Sequence, residues 1–460
     1  MDKTRPLTGC NTVAKIFAAA LNSVFNRVLP DYIEPEQSCV KGRVMIANVH
    51  QLLNRAVEFA DHKHKVALLL LDFCSAFPSL ARDFIFKVLE ASRLPPNIIK
   101  AIRELYKDNF HYFSYGGIYK FAFTVYSGVR QGCPLSSAIF AIVTDTLIRF
   151  LKHNLSLEAF FRAYCDDYSF ALKNPWRDLP ILSKLFNTIA RASALTLNLP
   201  KCKLLPLWTY THSMVYQALR YFCPSWATMS IDTHALLLGF MVGLSAHLFA
   251  WDRPLAKFKS RIFAIRNSKS GLSGSIFLYN VCAITVFSHV AQLCEPTPAV
   301  ILAVENEVKR IIPAPGNWVP PILLYRIKLV LPFRTQLLEF PTWSLTVRIR
   351  VLFATLKSWA THVNEPLLCS IPTSTLLALP HNVFRRTFDK LLSMEFINSS
   401  GRFSNADFDK QISSLDVKHS IQSAAYNIIY FSTFPLEAFN VLDQRLIKWR
   451  LTTPIFRIRP

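Results

Sequence analysis

Two adjacent aspartates, Asp166 and Asp167, stand in the middle of an aromatic, β-forming run, FFRAYCDDYSF. Aspartate is a poor strand former, and neighbouring carboxylates repel each other. Alone, the pair reads as a hairpin turn. A third carboxylate, Asp72, closes a continuous apolar run, VALLLLD, at residues 66–72. If these two segments lie side by side in one sheet, three carboxylates gather at one edge. Such a cluster repels itself unless it holds cations or shifts its pKa values. Hard oxygen donors suit Mg²⁺ or Mn²⁺. Two such ions roughly 3.5–4 Å apart activate an attacking hydroxyl and stabilise the leaving oxygen in phosphoryl transfer.

Positioning that cluster takes strands that run alongside one another, and the surrounding text supplies them. VALLLLDF follows a charged stretch and is apolar without alternation, the pattern of a strand buried on both faces. FFRAYCDDYSFAL reads as two short strands joined at the aspartates. HYFSYGGIYKFAFTVYSGV alternates around Gly116-Gly117, as a hairpin does. Helices fill the intervals. Residues 10–29 carry Val13, Ile16, Phe17, Ala20, Leu21, Val24 and Val28 at helical spacing. NVHQLLNRAVEFADH is a second helix, LARDFIFKVLEASRL a third that stops at Pro95-Pro96, and NIIKAIRELYKDN a fourth. PLSSAIFAIVTDTLIRFLKH follows Pro134, and residues 178–200 give another helix. The remaining text is mostly helical, broken by prolines at 313–321. This order predicts an α+β core followed by a helical C-terminal half.

Composition narrows the partners. The 460 residues exceed one ordinary core and predict about two to four subdomains. Lys+Arg outnumber Asp+Glu by 52 − 30 = 22, scattered along the chain rather than gathered in a tail. A folded surface of that sign suits a polyanion such as nucleic acid. Hydrophobic residues make up 51%, which excludes general disorder. The ten cysteines are dispersed without C-x-x-C, against a disulfide scaffold or a zinc site and in keeping with a reducing, intracellular compartment, nucleus or cytoplasm. His62 and His64 lack further ligands at metal spacing and read as a solvated loop. Two apolar windows, 235–251 and 276–293, carry polar residues and read as core rather than membrane spans.

Four segments carry a resemblance. DFCSAF (72–77), SGVRQGCPLS (127–136), AYCDD (163–167) and LNLPKCK (197–203) look, in this order, like the palm motifs of reverse transcriptases. The middle motif is closest to the non-LTR retrotransposon (LINE-like) family, which typically reads G-V-R-Q-G-C-P-L-S there. RPLTGCNTVAKIF and EPEQSCVKGR are similar to that family's finger motifs. The chain departs from the pattern at Pro78, Ser137 and Cys165.

The resemblance implies a right-hand polymerase: partial fingers at 1–65, a palm with an antiparallel sheet at 66–230, and a fingers insertion within it near 85–125. A primer grip and helical thumb follow at 231–340, then a helical accessory region at 341–460. It implies an RNA-directed DNA polymerase that uses an RNA template, a DNA primer and dNTPs, with two Mg²⁺ or Mn²⁺ ions and no organic cofactor or membrane. Asp72, Asp166 and Asp167 would be the metal ligands. Phe77 would be the aromatic gate against a ribose 2′-hydroxyl; an RNA-dependent RNA polymerase usually has a polar residue there. Gln131 and Gly132 would contact the nucleotide, Arg43 would clamp the triphosphate through its guanidinium fork, and Lys201 would protonate the leaving pyrophosphate. Leu238 and Gly239 would begin the primer grip, and basic helices beyond them would hold duplex phosphates. Two other readings share the palm motifs: a fragment that binds nucleic acid without polymerising, and a group II intron maturase. Neither an endonuclease nor an RNase H is recognisable in the sequence.

Overall fold

A computed structural model describes residues 11–60, 65–311, 321–327, 335–355 and 383–394, with Gln422 and Tyr426. His62 and His64 lie outside the described residues. The described residues divide into two compact units, one up to Ala246 and one from His247 on.

The first unit is built around the apolar run. It forms strand β1 (Ala67–Leu71), buried along its whole length. Helices α1 (Thr12–Tyr32) and α2 (Met45–Phe59) precede it. The short turn α3 (Ala76–Ser79), then α4 (Arg82–Ala91) and α5 (Pro96–Tyr106), follow. Pro96 opens α5 at its first helical position, where a missing N–H costs nothing. Strands β2 (Phe110–Tyr115) and β3 (Ile118–Thr124) form the expected hairpin, and Gly116 and Gly117 both take positive φ at its turn. Helix α6 (Ser136–Asn154) is apolar on most of its circumference and runs through the core. Strands β4 (Ala159–Tyr164) and β5 (Asp167–Leu172) close on the aspartate turn. Helix α7 (Pro175–Ser193), strand β6 (Lys203–Pro206), helix α8 (His212–Phe222) and strand β7 (Ser230–Ile231) complete the layer. The sheet order is β4-β5-β1-β6-β7, with β1 antiparallel to both neighbours.

Two local expectations give way. Helix α7 ends at Ser193, because Ala194 takes a left-handed C-cap with φ 62°. Beyond it, residues 196–198 run extended and pair with residues 72–74, and Leu199-Pro200 form a turn. Helix α1 forms, but it buries Ala18, Phe25 and Leu29, leaving Val13, Ile16, Phe17, Val24 and Val28 exposed. Helical spacing identifies an apolar stripe; it does not say which side meets the core.

The apolar window at 235–251 opens as a third hairpin, β8 (Ala235–Leu237) and β9 (Phe240–Val242), which stays with the first unit. The boundary between the two units falls at Ala246/His247. The described residues of the second unit are mostly helical. Its helix Asp252–Asn267 buries Phe258, Ile262 and Ile265 and exposes Arg253, Lys257, Lys259, Arg261 and Arg266. The window at 276–293 breaks into α, π and 3₁₀ turns. Phe287 packs against Phe258 and Phe340, with ring centroids 4.9 and 4.7 Å apart. Phe340 begins the helix Phe340–Thr355. No helix among the described residues is long and apolar enough to cross a membrane.

Candidate active site

Strand pairing brings the carboxylates to one end of the sheet. The β1–β5 ladder finishes at Leu71↔Tyr168. Asp72 is the next residue of one strand and Asp167 the preceding residue of the other. Tyr164 pairs with Asp167, which leaves Cys165 and Asp166 as a two-residue turn. Cys165 occupies the first turn position with φ 53°, a conformation that two-residue hairpins demand and non-glycine residues resist. Beneath the turn, Tyr168 is fully buried and meets the Phe73 ring edge-on at 5.5 Å. Burial, then the negative charges of Asp145 and Asp166, push its phenol above the ordinary range.

The loop after α7 is fastened to the Asp72 segment. Asn198 N–H donates to the Asp72 carbonyl at 2.8 Å, and Cys74 N–H donates to Thr196 at 2.8 Å. Cys202 is buried under the same segment, where the Asp72 N–H points at its sulfur at 3.5 Å. Burial raises that thiol to about 11. Lys201, next in line, is exposed and brings its Nζ to 3.8 Å from Asp72 Oδ2.

A second clamp joins α3 to the 127–131 loop. Val129 N–H donates to Phe77 O at 2.8 Å, Gly128 N–H to Leu80 O at 2.7 Å, and Ser127 Oγ to Pro78 O at 2.9 Å. Gly128 has φ 73°, and a Cβ there would lie 2.4 Å from the carbonyl oxygens of both Phe77 and Pro78. Only glycine allows this approach. The Phe77 ring is half-buried and stacks on Phe140 with centroids 4.5 Å apart. Gln131 and the exposed Gly132 follow in a tight turn, Gly132 at φ 100°. Gln131 lines a cleft of about 280 Å³ between this loop and the β2–β3 hairpin, together with Arg82, Arg130, His111 and Phe123. The Arg82 guanidinium keeps Nε and Nη2 buried without a hydrogen-bond partner, and burial and the Arg130 charge both lower its pKa.

Residues 1–221 match the family model for reverse transcriptase (RNA-dependent DNA polymerase). That match spans just under half of the chain. Over 173 residues the chain is 27% identical to the transposon TX1 uncharacterized 149 kDa protein of Xenopus laevis. That match covers 35% of this chain and 13% of the Xenopus protein's length. The apo telomerase of Candida tropicalis is 10% identical over 90% of this chain and 61% of its own, with a TM-score of 0.39. Telomerase of Candida albicans, with a TWJ fragment of telomeric RNA, is 12% identical over 87% and 57%, with a TM-score of 0.38. Those two likenesses are too distant to add to the fold described above.

The donor set at the sheet end suits a hard divalent cation: three carboxylates, none fully buried. Among the described residues, however, no three His, Cys, Asp or Glu side chains come together closely enough to hold a metal ion. The expected three-carboxylate cage is therefore not formed by the protein alone. Mg²⁺ is commonly held by one or two carboxylates plus substrate phosphates rather than by an all-protein cage.

Arg43 is placed differently from expectation. Its Nη1 donates to Glu34 O and Gln37 O at 2.5 and 2.6 Å, and its Nη2 to Pro30 O and Ile33 O at 2.8 and 2.5 Å. All four terminal N–H donors are thus committed to main-chain carbonyls at the end of α1 and the loop after it. The fork that would grip a triphosphate ties down backbone instead. Leu238 and Gly239 form the turn of the β8–β9 hairpin, with φ of 48° and 87°.

Sequence reasoning missed three residues at the aspartate turn. Cys39 and Cys165 are joined by a disulfide with Cα atoms 5.4 Å apart, a single pair rather than a scaffold. Between them sits Gln37, which is completely buried. The one available signal was Gln37 itself, a polar side chain within the finger motif EPEQSCVKGR. A separation of 126 residues hides the cysteine pairing from any spacing rule.

Proposed function

We propose that this chain is an RNA-directed DNA polymerase of a retrotransposon, extending a DNA primer on an RNA template. The observation that carries the reading is the junction of Asp72 with the Asp166-Asp167 turn at one sheet end, inside a reverse transcriptase domain. Asp72 and Asp166, with Asp167 assisting, hold the two divalent ions together with the incoming triphosphate. When bound, those ions supply a lowered pKa for the primer 3′-hydroxyl and charge stabilisation of the transferring phosphoryl group.

The remaining groups bind and position. Phe77, braced by Phe140, presents an aromatic surface that leaves no room for a 2′-hydroxyl and offers it no hydrogen bond. Gln131 and Gly132 border the nucleotide, and the turn at Gly132 lets backbone approach it closely. Lys201 reaches from the exposed side toward the pyrophosphate and delivers a proton as it leaves. The hairpin tip Leu238-Gly239 abuts the primer. The basic face of the helix Asp252–Asn267 binds duplex phosphates without reading sequence.

Primer extension tests this reading. The purified chain, given poly(rA)/oligo(dT), dTTP and Mg²⁺ or Mn²⁺, is expected to incorporate nucleotide, and Asp166→Asn to abolish incorporation. No incorporation by the unsubstituted chain under any of these conditions refutes it.

A further inference from the structure

The aspartate turn does not hold its shape by itself. We infer that Gln37 is a positioning residue for the metal-binding turn, fixing Cys165 and thereby the direction of Asp166. This inference rests on the polymerase reading above and extends it to a fully buried residue.

One primary amide grips both polar groups of a single turn residue. Gln37 Oε1 accepts from Cys165 N–H at 2.9 Å, and Gln37 Nε2 donates to Cys165 O at 3.3 Å. The same Oε1 accepts from Cys39 N–H at 3.1 Å, and Nε2 also approaches Thr144 Oγ1 at 3.4 Å. Thr144 is itself oriented by its bond to Phe140 O at 2.8 Å, so the amide's rotation is set from α6. The Gln37 main chain is fixed as well: Ser38 N–H donates to Ala163 O at 3.0 Å, and Ala163 N–H to Glu36 O at 2.8 Å. The segment 36–38 thus adds itself to the free edge of β4 and delivers the amide to the hairpin tip.

The turn needs such a hold. Cys165 sits at φ 53°, which costs a non-glycine residue roughly 1–2 kcal/mol. Glycine would relieve that cost but would free the turn. Alongside the Cys39–Cys165 disulfide, which ties down the side chain, an amide that both donates and accepts keeps the Cys165 backbone in the left-handed well. Only an amide of this length offers both functions to the N–H and C=O of one residue: Glu lacks the donor, and Met lacks both. Residues that orient metal ligands without touching the metal typically govern about 10- to 100-fold in metal affinity.

The test compares Gln37→Met with the unsubstituted chain, both full length and bound to an RNA/DNA template–primer. Mn²⁺ binding is read by electron paramagnetic resonance in the presence of a non-reactive dNTP analogue. Gln37→Met is expected to weaken Mn²⁺ binding by about 10-fold. It should lower kcat in primer extension while template–primer affinity stays unchanged. A filler of the core would lower Tm alone and leave the Mn²⁺ isotherm where it was, and that result overturns the inference. If Gln37→Met does not fold, Thr144→Val, which removes only the amide's orienting partner, is expected to weaken Mn²⁺ binding about threefold. An unchanged isotherm in that variant equally overturns it. Asp166→Asn separates the two levels. Should it leave Mn²⁺ binding intact, the metal-site reading fails. Should it abolish binding while Gln37→Met matches the unsubstituted chain, only the positioning role fails.

Discussion

Arg43 offers a direct choice between a substrate clamp and a structural tie. Its four terminal N–H groups donate to the carbonyls of Pro30, Ile33, Glu34 and Gln37. A hydrogen bond contributes about 1 kcal/mol net, and one from a charged donor somewhat more. Arg43 is only half-buried, and burial works against its charge while Asp145, Glu36 and Glu34 favour it. Counting about 1 kcal/mol per bond, Arg43→Ala should cost roughly 4 kcal/mol. For a unit of this size, 1 kcal/mol moves Tm by about 2–4 °C, so the expected fall is about 8–16 °C. Lysine carries three donors on a point charge and cannot reproduce the planar fork; Arg43→Lys should lose roughly half as much. Thermal unfolding followed by tryptophan fluorescence measures the first effect. Steady-state primer extension at 25 °C, well below the lowered transition, measures the second, and the KM for dNTP should change less than about twofold. If Arg43→Ala instead unfolds at the original temperature and raises KM for dNTP about tenfold or more, the structural assignment is wrong and the triphosphate role returns.

Other expectations follow from the same contacts. Phe77→Val should reduce discrimination against ribonucleotides by up to about 10²-fold, measured as the ratio of kcat/KM for rNTP and dNTP, since a small apolar side chain rejects an added hydroxyl only weakly. Loss of the stack on Phe140 should also cost about 0.5–1.5 kcal/mol beyond the buried area. Gly128→Ala forces a Cβ against two carbonyl oxygens at a positive φ, and should lower stability by about 1–3 kcal/mol, with loss of activity, in parallel unfolding and extension assays. The Glu34 carboxyl lies below its usual 4.5, chiefly through the hydrogen bond from Lys152 and despite burial. Its stabilisation should be complete above about pH 4.5 and fade as pH falls through the lower folded-state value. Acid titration of Tm for the unsubstituted chain and Lys152→Met should therefore converge at low pH. The gap at neutral pH should be about 1 kcal/mol or less, because the pair is partly exposed.

What the sequence disclosed, and what it withheld, follows the range of the interactions involved. The uninterrupted ALLLL of β1 and the Gly-Gly turn are local patterns that yield the expected elements, and the hairpin at the aspartates forms with its turn one residue earlier, at Cys165-Asp166. The approach of Asp72 to the aspartate turn was legible because a buried strand has to pair on both sides, and the text offers few partners. Arg43 fits a motif by its spacing, but its hydrogen bonds go to carbonyls left open where α1 ends at Tyr32 and the chain turns back. Gln37, Cys39 and Cys202 act through segments more than a hundred residues away, and no periodicity encodes that. The outward stripe on α1 failed for the converse reason: amphipathicity is visible locally, but its direction is set by the rest of the fold.

The order of the central sheet also dictates how the chain leaves the ribosome. Strand β1 is flanked by β5 and β6, and both lie downstream of it, beginning at Asp167 and Lys203. A nascent chain therefore carries ALLLL with two open edges until residues 167–172 and then 203–206 have emerged. Long-range pairing of this kind is slow, while the β2–β3 and β4–β5 hairpins close locally and early. During that interval the most apolar strand of the protein is an uncovered template for association with another chain. Synthesis that stalls between β1 and β6 should yield insoluble product, and chaperone demand should peak there and fall once Pro206 has been made.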